Sequence, residues 1–444
     1  MAKAEKNKEK PDKKPDKKGD KKPSKPAGGA SSCGLNLPLF FVLLAVAMGY
    51  ASVLAVKLCN APVLTTAHLE PLIFFAASLL MTRLALGITG YRGDPAIVAG
   101  AFLLAGIGAV IQLRVGAFTG GRMEMMPFAI GAALFVVITI LLGKKRIGML
   151  EHLGWPAYVI ALAVLAAILV FGQKFRGAVF LPGNYNPSEA AKPLLILFFA
   201  AFLAKHKKEF ENTFLGIPLP SFQSLFLLVV FWSLPIILTL MIGDLGQALL
   251  LNAVLVVMLY AVGKKFGWLL LGMVTLAGLA ILAGNLSQHA QARFAIWENP
   301  FSDPVGKGWQ VLQSLSAMYS GGMWGCGLGA GAPSAVPIVS SDFIYAALGE
   351  ETGWAGCALL LLAYGIFCVR SWRAAANAAT PFAITFGAGL AACVAAQTLI
   401  NVAGVTKALP LTGITLPFIS HGGSSLVTSF CIAGLLAALS DNGK

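Results

Sequence analysis

Residues 222–265 read FQSLFLLVVFWSLPIILTLMIGDLGQALLLNAVLVVMLYAVGKK. Two uncharged apolar runs, 222–241 and 247–262, are parted by the tight turn Gly243-Asp244-Leu245-Gly246-Gln247, and Lys264 and Lys265 close the second. A helix needs about 20 apolar residues to cross a bilayer core, so this stretch is a membrane hairpin. The same pattern extends in both directions, with spans expected near 38–57, 72–90, 96–113, 127–143, 156–172, 190–204, 222–241, 247–262, 267–284, 343–369, 381–404 and 423–440. The fold class is therefore an all-α polytopic membrane protein of about 12 transmembrane helices. Composition agrees. Of the 444 residues, 57% are hydrophobic and 12% charged, against about 25% charged in soluble domains, and mean hydropathy is +0.78. That excludes a water-soluble globule.

The net charge of +14 is uneven. The first 32 residues hold eleven lysines against Glu5, Glu9, Asp12, Asp16 and Asp20, with no Leu, Ile, Val or aromatic residue. Such a segment cannot bury enough apolar surface to fold, so residues 1–37 are expected to be a disordered cytoplasmic tail and 38–444 the transmembrane domain. Directly ahead of a membrane helix, the lysines suit anionic membrane lipids and an orientation signal rather than nucleic acid. With both termini placed in the cytoplasm, every inner loop is basic: Arg92; Lys144, Lys145 and Arg146; Lys205, Lys207 and Lys208; Lys264 and Lys265; Arg370 and Arg373. This obeys the positive-inside rule. The outer loops then include 173–189, 242–246, 285–341 and 405–422. The long one, 285–341 between spans nine and ten, carries Trp297, Trp309 and Trp324, suited to an interfacial loop that partly re-enters the membrane or to an aromatic belt. The seven cysteines form no CxxC pair, and a small-hydrophobe role suits those within apolar runs.

Four motifs fall on the outer face. Asn186-Pro187-Ser188-Glu189-Ala190-Ala191-Lys192 opens span six. Asn186 suits an N-cap, Pro187 the first helical position, and Glu189 a capping box. Glu189 and Lys192, three apart, share a helix face, either as a well-made helix start or as a charged pair for a polar lipid head. Asp244 is expected to cap span eight. Asp342, in Ser341-Asp342-Phe343-Ile344-Tyr345, stands where the long loop enters span ten. Glu350 and Glu351 follow about 12–13 Å deeper along a helix. Glu350 lies on a side of the helix from which it can share a cavity with Asp342, and Glu351 needs another partner; a buried network with backbone or Arg is open to both. The fourth motif runs from Gln397 and Asn401 through residues 409–425, LPLTGITLPFISHGGSS. Its prolines and glycines break the helix, and non-helical backbone at membrane depth survives only inside protein or against a wet cavity. Gly422, Gly423, Ser424 and Ser425 can present N–H groups to an anion at the start of span twelve, or they form a rigid turn with close packing.

These motifs resemble those of the SEDS family, the RodA/FtsW/SpoVE group. Residues 410–425 are similar to its Pro-x-Thr-Gly-x-x-Leu-Pro-Phe-x-Ser-Tyr-Gly-Gly-Ser-Ser signature, with His421 in the Tyr place. Residues 341–353 resemble its Thr-Asp-Phe-Ile-Phe-Ala and Glu-Glu-x-Gly, residues 321–329 its glycine-rich stretch, and residues 186–192 its Gln-Pro-Ser-Glu-x-x-Lys, with Arg176 upstream. Gly243 stands where the family has proline, and five spans precede the Pro-Ser-Glu motif where members commonly have three.

The resemblance implies a glycosyltransferase that polymerises lipid II into glycan strands on the outer face of the bacterial cytoplasmic membrane, for elongation or division, with a class B penicillin-binding protein transpeptidase as partner. It implies Asp342 as general base on the acceptor 4-hydroxyl. Arg176, Glu189, Lys192, Lys407, Ser424 and Ser425 would bind the lipid diphosphate, with Ser188, Asp244, Glu350, Glu351, Gly422 and Gly423 in support. No metal-ligand cluster is evident in the sequence; a divalent cation, Mg or Mn, is compatible with the chemistry. The rival expectation is a flippase or transporter of the lipid-linked precursor, with Arg83 inside span two as its best feature.

Overall fold

The computed structural model describes residues 33–442 except 61–65, 117–121, 145, 176–177, 181–186, 215–216, 219 and 287. The lysine-rich segment 1–32, Asn186 and Arg176 lie outside the described residues. The chain forms α1 (Cys33–Asn60), α2 (Thr66–Thr89), α3 (Pro95–Arg114), α4 (Arg122–Leu142), α5 (Gly154–Phe171), α6 (Ser188–Lys205), the short α7 (Lys207–Glu211), α8 (Phe222–Ile242), α9 (Leu245–Gly263) and α10 (Phe266–Leu286). There follow α11 (Gln288–Glu298), α12 (Trp309–Gly321), α13 (Ile344–Ala376), α14 (Pro381–Val405) and α15 (Gly423–Asn442). Two small antiparallel hairpins, 173–180 and 213–218, qualify the all-α expectation.

Each expected span falls on a helix, but among the described residues ten helices are long and apolar enough to cross a membrane. The other two expected spans correspond to α6, which carries Glu189, Lys192 and Lys205, and to α10, whose apolar stretch is the shorter Phe266–Leu279. The helix α1 begins five residues before the boundary set at 38. The chain is a multi-pass membrane protein. Large apolar side chains such as Phe40, Ile88, Phe222 and Met241 are exposed, as lipid-facing surfaces require. The long loop is not wholly extended chain: α11 and α12 lie within it, and α12 packs on α13.

The helix α14 is largely buried and touches α6, α9, α13 and α15. Small residues permit this. A Cβ on Gly389 would lie 2.7 Å from Ile196 Cγ2 and 2.8 Å from Met258 Sδ. At one end of the bundle, Asp441 accepts from the backbone N–H of Arg92 (2.8 Å) and of Lys144 (3.1 Å), and Arg370 pairs with Asp94 (2.7 Å). These are residues of the basic loops. The motif residues cluster at the other end of the same helices, so α3, α13 and α15 each run from one charged cluster to the other.

Candidate active site

The site is assembled by helix termini. Gly243, left-handed at φ 86°, ends α8, and Asp244 caps α9 by accepting from Gln247 N (3.0 Å), as expected. Asp342 precedes α13 by two residues. Above both lies the irregular segment 406–422. Gly413, at φ 76°, brings this backbone against charge: a Cβ there would sit 3.3 Å from Arg293 Nη2 and 3.7 Å from Asp342 Oδ2. Only glycine allows that approach in that conformation.

Arg293 is the residue that sequence reasoning missed. It lies on α11, and its Nη1 donates to Leu411 O (3.1 Å) and Thr412 O (2.5 Å). Burial pushes the Arg293 guanidinium pKa down, and the charges of Asp342 and Asp244 pull it back up. Burial likewise raises the Asp244 carboxyl; the Gln247 N–H, Lys192 and Arg293 oppose the rise, and Glu189 adds to it. A signal existed, since Arg293 is the one arginine in residues 285–341.

Asn401 ties the parts together from α14. Its Nδ2 donates to Asp342 O (3.1 Å) and to Ile414 O (2.7 Å). Gln397, one turn earlier, donates to Thr415 O (3.0 Å) and Thr415 Oγ1 (3.3 Å), while its Oε1 accepts from Lys192 Nζ (3.1 Å). Thr415 Oγ1 and Ser425 Oγ are 2.8 Å apart. Ser420 Oγ donates to Ser341 O (2.6 Å), and Gln112 of α3 donates to Ser340 O (2.8 Å) and Ile419 O (2.9 Å). The irregular segment is thereby stitched to the approach of Asp342, which satisfies backbone that the bilayer cannot.

Other expected residues are placed differently. Glu189 pairs with Lys192 Nζ (2.7 Å), as their three-residue spacing offered, and Lys192, only 1% exposed, needs that counter-charge. Lys192 is therefore an interior group held by Glu189 and Gln397, not a surface cation. Ser188 is buried beside Gln247, whose Nε2 donates to its carbonyl (2.8 Å). Lys407, left-handed at φ 61°, is half-buried just after α14, and its carbonyl accepts from Trp297 Nε1 (3.1 Å). Ser424 is half-buried in the first turn of α15. A Cβ on Gly423 would meet Pro127 of α4 at 3.1 Å, and one on Gly422 would meet Ser425 Cβ at 3.4 Å, so close packing occupies both.

Glu350 is buried, and one of its oxygens has no hydrogen-bond partner. Its Oε1 accepts from Ala332 N (2.8 Å). Glu351 pairs with Arg114 (2.5 Å) and accepts from Gly329 N (3.2 Å), while Arg114 also donates to Gly329 O (3.0 Å) and Gly331 O (2.7 Å). The two carboxylates hold down the glycine-rich segment 321–332. A kink at Gly353 (φ 68°, ψ −172°) interrupts α13 just beyond them.

Residues 98–444 match the FtsW, RodA and SpoVE family of cell cycle proteins. The chain belongs to that family, the SEDS proteins. Peptidoglycan glycosyltransferase RodA of Mycobacterium tuberculosis is 33% identical over 368 residues, covering 79% of this chain and 78% of that protein. A probable peptidoglycan glycosyltransferase FtsW of Thiomicrospira cyclica is 33% identical over 328 residues, covering 70% and 80%. Among solved structures, a chain from a peptidoglycan synthase complex, studied for how polymerization and crosslinking are coordinated, superposes with a TM-score of 0.61 at 25% identity, covering 79% of this chain and 98% of that one. Thermus thermophilus rod shape determining protein RodA gives 0.54 at 25% identity, covering 79% and 97%. The SEDS match begins inside α3, with α1 and α2 ahead of it.

Proposed function

We propose that this SEDS protein polymerises lipid II at the outer face of the bacterial cytoplasmic membrane, with Asp342 as the general base. The chain is a peptidoglycan glycosyltransferase. The observation that carries the assignment of the base is the meeting of Asp342 Oδ2 and the Arg293 guanidinium at Gly413, on a half-buried edge of the irregular segment. In this reading the acceptor sugar's 4-hydroxyl oxygen attacks the donor anomeric carbon. The bond from that carbon to the lipid diphosphate breaks, the hydroxyl proton passes to Asp342, and undecaprenyl diphosphate departs with the bonding pair. A positioned base contributes roughly 10²–10⁴-fold. The guanidinium would face the developing diphosphate charge, since fixed donors at a desolvated site stabilise a transition state most. Arg176 and Lys407 are further candidates for the diphosphate. Lys192, enclosed with Glu189, sets the charge beneath Asp244; Ser425 joins it through Thr415 and Gln397.

A resident divalent cation fits the donor set poorly. Among the described residues no three His, Cys, Asp or Glu side chains converge, and Arg293 supplies positive charge to both Asp244 and Asp342. Mg or Mn would then arrive on the substrate's diphosphate, held by its oxygens. A class B penicillin-binding protein as crosslinking partner rests on the relatives. Both termini are proposed to be cytoplasmic, because the Arg92, Lys144, Arg370 and Asp441 end carries the basic loops.

The test is purified protein in nanodiscs with lipid II, with and without the cognate transpeptidase. Glycan strands are expected from the wild type and none from Asp342→Asn. Transfer of lipid II across vesicles without any polymer would establish the carrier instead.

A further inference from the structure

Asn401 has an amide whose orientation the surroundings dictate. Both atoms facing its Nδ2 are carbonyl oxygens, Asp342 O at 3.1 Å and Ile414 O at 2.7 Å. Carbonyls only accept, so the NH2 group must face them and Oδ1 must point away. There Oδ1 is buried without a hydrogen-bond partner, on a residue only 3% exposed. Leaving a buried acceptor unmade is costly. A leucine of similar size would avoid that cost and would fit an apolar helix. The two N–H bonds are what the amide adds, and they join two segments that nothing in local sequence holds together. Residue 342 leads into α13, while residue 414 follows the left-handed Gly413 that abuts Arg293 and the Asp342 carboxylate.

We infer that Asn401 is a positioning residue for the Asp342 base: its amide clamps the backbone of Asp342 to the irregular segment at Ile414, setting the carboxylate against Arg293 and the bound acceptor sugar. It touches no reacting atom and acts through Asp342. The inference rests on the glycosyl-transfer reading of the same site. Near-attack geometry is steep, and a displacement of about 1 Å can cost about 10²-fold in rate. Loss of the clamp therefore falls on kcat, while lipid II binding, which depends on groups elsewhere in the site, stays close to wild type.

Two variants test this in nanodiscs. Asn401→Asp keeps the shape but turns an acceptor toward two carbonyl oxygens; Asn401→Ala removes both donors without adding charge, and stands in if the aspartate variant does not fold. Each is expected to lower kcat about 10²-fold with KM for lipid II within about twofold, per molecule competent to bind lipid II. Hydrogen–deuterium exchange should rise in peptides spanning 340–345 and 411–416 of the same variant. Unchanged kcat, a rise in KM that accounts for the loss, or a fall in rate matched by loss of binding-competent molecules would each overturn the role. If the wild type makes no polymer, it is the glycosyl-transfer reading that fails. The exchange experiment then decides the clamp on its own, and unaltered exchange in both peptides overturns it.

Discussion

Two arginine–carboxylate groups flank the start of α13, and they are built to opposite ends. At Glu351, Arg114 spends its donors on the carboxylate and on the carbonyls of Gly329 and Gly331, and the Glu351 side chain is 1% exposed. These groups hold down segment 321–332. At Asp342, Arg293 spends Nη1 on the carbonyls of Leu411 and Thr412, and the carboxylate stays half-buried beside the left-handed Gly413. The first group is a closed clamp. The second is held in place by its backbone, through Asn401, with its carboxylate set beside the Arg293 guanidinium at Gly413. Residue type does not separate them; burial and what their donors are used for do.

Substitutions that break one group and spare the other sharpen this contrast. Asp342→Asn should give the largest effect, a fall of about 10²–10⁴-fold in glycan polymerisation from lipid II with the thermal melting curve retained; undiminished polymer would end the distinction. Arg293→Ala is expected to cost about 10²-fold in kcat, and Arg293→Lys to recover little, since a point charge cannot reproduce the planar fork. On the clamp side, Gly325→Ala should act on folding. Gly325 is left-handed at φ 83°, and a Cβ there would lie 2.1 Å from Glu351 O. Backbone strain alone amounts to about 1–3 kcal/mol, read as a lower melting temperature and proteolysis within 321–332. Glu351→Gln leaves the Arg114 charge without its carboxylate and should cost about 1.5–3 kcal/mol, again in melting rather than in turnover of the folded fraction.

The smallest expected effect is a pH dependence at Asp244. Burial raises its carboxyl above the ordinary aspartate value of 3.8, so the native protein binds that proton more tightly than the unfolded chain. The stability this proton confers is present in full below 3.8 and is lost as pH rises from there through the raised native value. Asp244→Asn should flatten that part of the melting temperature–pH curve and leave the rest in place. A curve of unchanged slope would mean the carboxylate is solvated and belongs to neither group.

Apolar run length alone placed a helix at each expected span, ten of them long and apolar enough to cross a membrane, because in hydrocarbon the backbone must satisfy itself within each span; it did not reveal α11 and α12. Local sequence likewise determined the Asp244 cap, a bond closed within four residues. Partnership was different. The spacing of Glu189 and Lys192 offered their pair, but the bond from Lys192 to Gln397, 205 residues on, came only with the packed bundle. For Glu350 a shared cavity and a backbone network were both open, and the fold supplies a backbone partner at Ala332 for one of its oxygens. Arg293, Arg114 and Asn401 acquired their importance from residues 49 to 237 positions away, Arg293 approaching Asp342 and Thr412, Asn401 bonding Asp342, and Arg114 bonding Glu351. Pairing of buried charge is decided by which groups the folded bundle brings within a few ångströms, and no one-dimensional pattern carries those distances.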